Sequence, residues 1–187
     1  MPDIIDLLKI RRSVKPVEMS GPGPSPADLE TILTLGARVP DHGKLVPWRF
    51  IVFEGDARQR AGAILERLFG QKNPQATADQ LEAHRKVFMH APLVIAVVSR
   101  AKQHVKIPIW EQELSAGASA MNIVIAANAL GYVASWLTGW AAFDRDALTA
   151  LGVGEDEKLA GFIHIGRPTK PSQDRDRPVL NDIVTRF

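Results

Sequence analysis

The run Leu93-Val94-Ile95-Ala96-Val97-Val98-Ser99 is apolar at almost every position, the pattern of a strand buried on both faces. Trp48 to Glu54, rich in aromatic and β-branched residues, reads as a second strand, and Tyr132 to Leu137 and Leu159 to Ile165 as two more. Elsewhere helical spacing dominates. Ile4, Ile5, Leu7 and Leu8 put an apolar stripe on a short helix over Asp3 to Arg11, which Ser13 and Pro16 terminate. Ser25, Pro26 and Asp28 form an N-cap, a first-turn proline and a capping-box-like acid for a helix that buries Leu29, Ile32 and Leu33. Asp56 is placed to cap a helix running to Phe69 before Gly70; a more polar helix covers about Thr77 to His90, and another spans Asp144 to Leu151. The longest pattern, Ile109 to Leu130, is apolar on nearly every side after its first turn and dense in Ala, Gly and Ser. It predicts a long central helix approached closely from several directions until Gly131 ends it.

Strands and helices thus interleave, but too irregularly for a series of uniform parallel units, and the expected class is α+β. With 187 residues and 45% hydrophobic content, the chain suits one domain, 1–187, large enough for a sizeable core. After Pro168 the tail is polar and proline-marked, then turns apolar at Val179, Leu180, Ile183, Val184 and Phe187. That is too much apolar surface for a free end, so something is expected to cover it.

Charge and composition remove several classes. A balance of 23 basic against 21 acidic side chains gives no electrostatic case for nucleic acid. The absence of cysteine rules out disulfides, thiol catalysis and thiolate metal sites, and fits a reducing, cytoplasmic setting. The apolar stretch Leu114 to Leu130 is interrupted by Ser115, Ser119, Asn122 and Asn128 and is short for a bilayer, so no membrane segment is expected. Met1 to Arg12 carries Asp3 and Asp6 within its apolar part and has no signal-cleavage pattern. His42, His84, His90, His104 and His164 show no ligand spacing, and no metal is expected.

Four stretches could carry chemistry. Arg11, Arg12 and Ser13 put two guanidinium forks and a hydroxyl at a helix end, where they could hold a phosphate or merely complement the helix dipole. The loop from Arg38 to Trp48 concentrates polar donors, including Asp41, His42 and Lys44, between Pro40 and Pro47; its bland reading is a solvated connection, with Trp48 a core residue. Gly131 to Trp140 sets glycines beside aromatic rings, a place for a planar heterocycle or simply a core strand with a turn. Gly166, Arg167 and Pro168 end a strand and offer one further cation. Glu111 and Glu113 lie two apart, hence on different helix faces, which argues against an acid/base dyad.

In this order, the pieces Arg11-Arg12-Ser13, Pro40-Asp41-His42 with Pro47-Trp48, Trp110-Glu111-Gln112-Glu113 with Ser115-Ala116-Gly117, Gly131 leading to Trp136, and Gly161-Phe162 to Gly166 and Pro168 span nearly the whole chain. The set resembles the FMN-dependent nitroreductase family, and within it the small YdjA-like NAD(P)H nitroreductase branch. That resemblance implies a mixed, mainly antiparallel sheet flanked by helices, a long buried central helix, and a homodimer whose C-terminal tail packs on the partner. It also implies two FMN molecules at the subunit interface. Arg11, Arg12 and Ser13 would hold the phosphate and ribityl end, with Arg167 a further phosphate partner; Arg38 and His42 would reach the flavin from the partner subunit; Trp136, Leu137 and Thr138 would lie along the ring. Ala126, Ala127, Asn128, Ala129, Leu130 and Gly131 would match a region assigned to NADH or NADPH.

The implied activity is hydride or electron transfer from NAD(P)H, in two separate half-reactions, to a small oxidised acceptor such as a nitroaromatic or a quinone. The flavin's N5 carries the chemistry, and no catalytic side chain is required. A flavin-binding carrier or sensor without turnover would share the same residues. A third reading, a nucleic-acid partner using Arg11, Arg12, Arg175, Arg177 and Arg186, ranks far below both.

Overall fold

The computed structural model describes residues 3–187. Five strands form one sheet. They are β1 (Met19–Ser20), β2 (Trp48–Glu54), β3 (Leu93–Ser99), β4 (Val133–Leu137) and β5 (Lys158–Pro168), in the order β1-β5-β3-β2 with β4 also paired to β5. Every named pair is antiparallel, and an isolated parallel bridge joins Ser13 to Ala134. Among the described residues seven α-helices accompany them: α1 (Ile4–Ile10), α2 (Pro26–Gly36), α3 (Asp56–Lys72), α4 (Ala78–Lys86), α5 (Ile109–Ala129), α6 (Arg145–Ala150) and α7 (Leu180–Ile183). The α+β expectation holds.

The continuous apolar run of β3 has the use its pattern implies. Val94, Ala96 and Val98 join one core with Phe53, Leu65, Phe88, Leu148 and Phe162, while Leu93, Ile95 and Val97 join another with Ile32, Ala120, Ile123, Ile163 and Ile165. Alternate side chains thus serve opposite layers, α3 and α6 on one side and α2 and α5 on the other. β5 lies between β3 and β4 and is equally closed, with residues 161–166 all buried. Trp48 belongs to the interior, which settles its bland reading.

Several boundaries differ from the sequence expectation where side-chain caps and distant strand pairing decide them. Gly55, not Asp56, is the N-cap of α3; the helix passes through Gly70 and ends at Lys72, where the Asn73 side chain donates to the Phe69 carbonyl at 2.9 Å. A glycine inside a helix is tolerated here because the neighbouring helix approaches it through Leu81. Thr77 and Gln80 form a reciprocal capping box for α4. Ser25 caps α2 as expected, but the Asp28 carboxylate accepts the Tyr132 hydroxyl at 2.8 Å. β5 runs three residues past Ile165, because Arg167 and Pro168 pair with β1, a two-residue strand the Pro/Gly loop concealed. No described helix is long and apolar enough to cross a membrane.

Candidate functional site

The site is built around α5. Its first half carries Glu111, Gln112 and Ser115, and the loop between α2 and β2 is tied down against it. The Ser115 hydroxyl donates to the Pro40 carbonyl at 2.5 Å, and the Asn122 amide donates to the Leu35 and Arg38 carbonyls at 3.1 and 2.9 Å, closing the end of α2. Within the loop the Asp41 carboxylate accepts the amides of Leu45 and Val46 at 2.9 and 3.0 Å. Those bonds hold a backbone in which Gly43, Lys44 and Val46 all have positive φ, of 71°, 54° and 48°. For a β-branched residue this is strained geometry, retained only where the surroundings impose it. The loop thereby presents His42, whose Nδ1 lies 2.7 Å from Glu111 Oε1. Beside the pair is a cavity of about 280 Å³ whose apolar walls are Pro40, Pro47, Ile107, Leu114 and Ala118.

A second recess of about 330 Å³ sits over residues 121–124 of the same helix. It is lined by Arg11, Ser13, Met121, Val124, Trp136 and Thr138. Trp136 is 38% exposed, and its indole N–H donates to the Ala160 carbonyl at 2.9 Å. The ring can lie there because residue 161 is glycine: a Cβ would overlap the indole Nε1 and Cδ1. Ser13 lines both this recess and an adjoining polar one that includes Arg12, Lys15, Glu18 and Lys170.

Around Arg11 the structure gathers more cations than the sequence pointed to. The C-terminal tail returns so that Asp174 accepts from Arg12 at 3.0 Å and from Arg177 at 3.1 Å. Burial lowers the Arg11 pKa below its ordinary value, and the neighbouring Arg177, Arg12 and Arg175 lower it further. Four guanidinium groups thus share one region in which, among the described residues, Asp174 is the carboxylate paired with them. Such a cluster suits a multiply charged anion.

Of the expected site residues, Arg11, Ser13, Trp136 and Thr138 come together in one recess, with Arg12 beside it. Leu137 is exposed at the end of β4. Arg38 is exposed past the end of α2, and His42 lines the other cavity. Arg167 has other engagements. Its guanidinium donates to the Gly131 carbonyl at 2.7 Å and sits 4.0 Å from the centre of the Tyr132 ring, while Tyr132 is bonded to Asp28. The stretch 126–131 is largely closed: Ala126 and Ala127 are core residues, the Asn128 amide is turned back to the Val124 carbonyl, and Gly131 is its exposed residue.

The sequence reading had no place for Met121 and Val124, although their i, i+3 spacing puts them on one helix face. Arg175 and Arg177 were visible only as tail charges.

The Nitroreductase family profile matches residues 8–167. The chain belongs to the nitroreductase family. It is 35% identical to the Escherichia coli K12 protein named "Putative NAD(P)H nitroreductase YdjA", over 99% of this chain and 100% of that one, and 32% identical to a Haemophilus influenzae protein named "Putative NAD(P)H nitroreductase", over 98% of each. Among solved structures, a nitroreductase-like family protein from Bacillus cereus superposes with a TM-score of 0.87 at 19% identity, covering 100% of this chain and 97% of that one. A Bacteroides fragilis nitroreductase with bound FMN superposes with a TM-score of 0.73 at 23% identity over the whole of both chains. The family supplies a fold in common; the roles of individual residues in this nitroreductase have to come from its own geometry.

Proposed function

We propose that this nitroreductase is an FMN-dependent oxidoreductase that takes electrons from NADH or NADPH and passes them to a small oxidised acceptor, and that residues 1–187 form its single FMN-binding domain. The observation that carries the reading is the junction of the cationic cluster with the Trp136 recess. Arg11 belongs to both, so a ligand with a phosphate at one end and a flat ring at the other would meet cations and an aromatic wall in the right sequence. Arg11, Arg12, Ser13, Arg175 and Arg177 would hold the phosphate and ribityl end, and Trp136, Leu137 and Thr138 the ring. Arg167, committed to Gly131 and Tyr132, is assigned to holding the β4–β5 edge instead. Of the 126–131 stretch, Gly131 offers a nicotinamide cofactor the most accessible contact. When bound, FMN supplies two-electron chemistry that no side chain offers; the protein orients it and shields it from water.

A homodimer completes this reading. Ile4, Ile5, Leu8 and Ile10 of α1 and Val179, Leu180, Ile183, Val184 and Phe187 of the tail are all exposed on one chain, a larger apolar surface than scattered exposure explains. A second copy would cover both, and by two-fold symmetry Arg38 and His42 of each subunit would face the flavin held by the other. A cytoplasmic setting, where NADH and NADPH are available, fits this reading.

The test is direct. The purified protein should show flavin absorption bands and release FMN on denaturation, and it should oxidise NAD(P)H when a quinone or nitroaromatic is added. Bound flavin with no turnover for either acceptor would favour the carrier reading; a colourless protein that FMN cannot reconstitute would refute both.

A further inference from the structure

We propose that Glu111 positions His42 as the proton-donating edge of the apolar cavity beside it, and that this cavity receives a flat acceptor presenting an oxygen lone pair, a quinone carbonyl or a nitro group. The inference rests on the flavin reading for its electrons.

The polar inventory of the cavity makes the argument. Asp41 is spent on the Leu45 and Val46 amides. The Ser115 hydroxyl proton goes to Pro40. The Gln112 side chain clamps the preceding loop, accepting the Lys102 amide at 3.1 Å and donating to the Lys102 and Ile107 carbonyls at 2.8 and 3.2 Å. Of the polar side chains lining the cavity, the imidazole of His42 is left as the proton donor for a ligand. Its aim is not accidental, because the strained loop fixes its backbone and Glu111 fixes its ring.

An ionised Glu111 accepts the Nδ1–H and leaves Nε2 for the ligand. Two-electron reduction of a quinone carbonyl needs a hydride and a proton. A flavin held by the other subunit would supply the hydride, and the acceptor oxygen would then need a proton. Breaking the Nε2–H bond of His42 would provide the proton for the new O–H bond and leave the electron pair on Nε2. The neutral ring that remains carries its proton on Nδ1, the tautomer that Glu111 stabilises, and solvent restores the proton at Nε2. The bland alternative is that Glu111 is only an acid in the first turn of α5, favourable to the helix dipole.

The tautomer separates the two. In ¹⁵N spectra of the histidine-labelled protein, His42 should be protonated at Nδ1. His104, whose Nδ1 accepts the Lys106 and Ile107 amides at 3.3 and 3.2 Å, should show the opposite form and serve as an internal contrast. His42→Asn identifies the resonance among the five histidines. Glu111→Leu should return His42 to mainly Nε2–H and lower kcat/KM for 1,4-naphthoquinone by about tenfold or more, a part of what general acid catalysis contributes. Glu111→Gln, which can still accept from Nδ1, should keep the tautomer and lose less. An unchanged His42 tautomer in Glu111→Leu, or naphthoquinone turnover equal to wild type in that variant, would overturn the proposal. A colourless wild-type protein would instead defeat the flavin reading, and the spectra would still report whether Glu111 orients His42.

Discussion

Gly161→Ala is the sharpest single perturbation of the ring side of the site, because the new methyl overlaps the indole and meets a backbone φ of 158° that L side chains rarely adopt. The new methyl would collide with Trp136 at Nε1 and Cδ1, so either β5 or the indole must move. β5 cannot give readily: Phe162 and Ile163 are buried, and the strand is registered to β3 on one edge and β4 on the other. The indole, 38% exposed, can swing outward. It then loses its bond to the Ala160 carbonyl, worth about 0.5 to 1.5 kcal/mol, and part of its packing. A total near 2 kcal/mol corresponds to a fall in Tm of roughly 4 to 8 °C for a chain of this size. The functional cost should exceed the structural one, because the displaced ring no longer walls the recess with Arg11 and Thr138. FMN affinity, followed by flavin fluorescence quenching, should fall about tenfold or more, equivalent to about 1.4 kcal/mol. Trp136→Leu should weaken FMN similarly without the steric clash. A lowered Tm with wild-type FMN affinity would show that the ring moved and that FMN does not use it.

Further outcomes follow from the charges and the shared site. Arg177→Ala and Arg12→Ala should each weaken FMN by about tenfold or more, since each removes a charge-assisted contact of about 1.5 to 3 kcal/mol; equal affinity in either variant, by titration, would remove that residue from the phosphate site. Double-reciprocal plots with NAD(P)H and acceptor should give parallel lines, whereas intersecting lines would reject separate half-reactions in one pocket. His164 is buried, its Nδ1 finds no partner among the described residues, and burial, helped by His90, pushes its pKa down to about 4. Above pH 6.5 it is neutral in both folded and unfolded chains and costs nothing; as pH falls below that, the unfolded chain takes up the proton first, removing about 2 kcal/mol of stability by pH 5. Denaturant midpoints of His164→Leu should lack that share of the loss, and pH curves parallel to wild type would refute it. Finally, if inactive Arg12 and His42 variants are refolded together, about half the dimers are mixed and each regains one intact site, so roughly a quarter of full activity should return; none would return if both residues served the same site from one chain.

The fold was legible where patterning is dense. Leu93 to Ser99 is a strand at the expected boundaries because an apolar run of that length has few other uses, and α5 differs from its expected span by one residue. What stayed hidden was set by partners distant in the chain. Nothing local marks Met19 and Ser20 as a strand; they become one because β5 continues to Pro168. Nor does anything local show that Asp28 answers Tyr132, or that Arg167 is spent on Gly131 and the Tyr132 ring.

The same distinction governs the site. Arg11, Ser13 and Trp136 stand out in the sequence because each belongs to a short stretch with an unusual composition, and the structure brings them to one recess. The remainder depends on return paths. Asp174 lies 162 residues from Arg12, and only the course of the tail turns Arg175 and Arg177 from terminal charges into neighbours of Arg11. Glu111 is a sharper case. Rejecting it as half of a carboxylate dyad was sound, since Glu113 turns away to pair with Lys158 at 2.7 Å. Its partner is a histidine 69 positions earlier, brought within hydrogen-bonding reach by a loop whose strained backbone no local pattern foretells. Side chains clustered in sequence can be read from the sequence; side chains brought together by another element cannot. It follows that perturbing the supports of the His42 loop, such as the Asp41 carboxylate or the Ser115 hydroxyl, should impair acceptor reduction more than FMN binding.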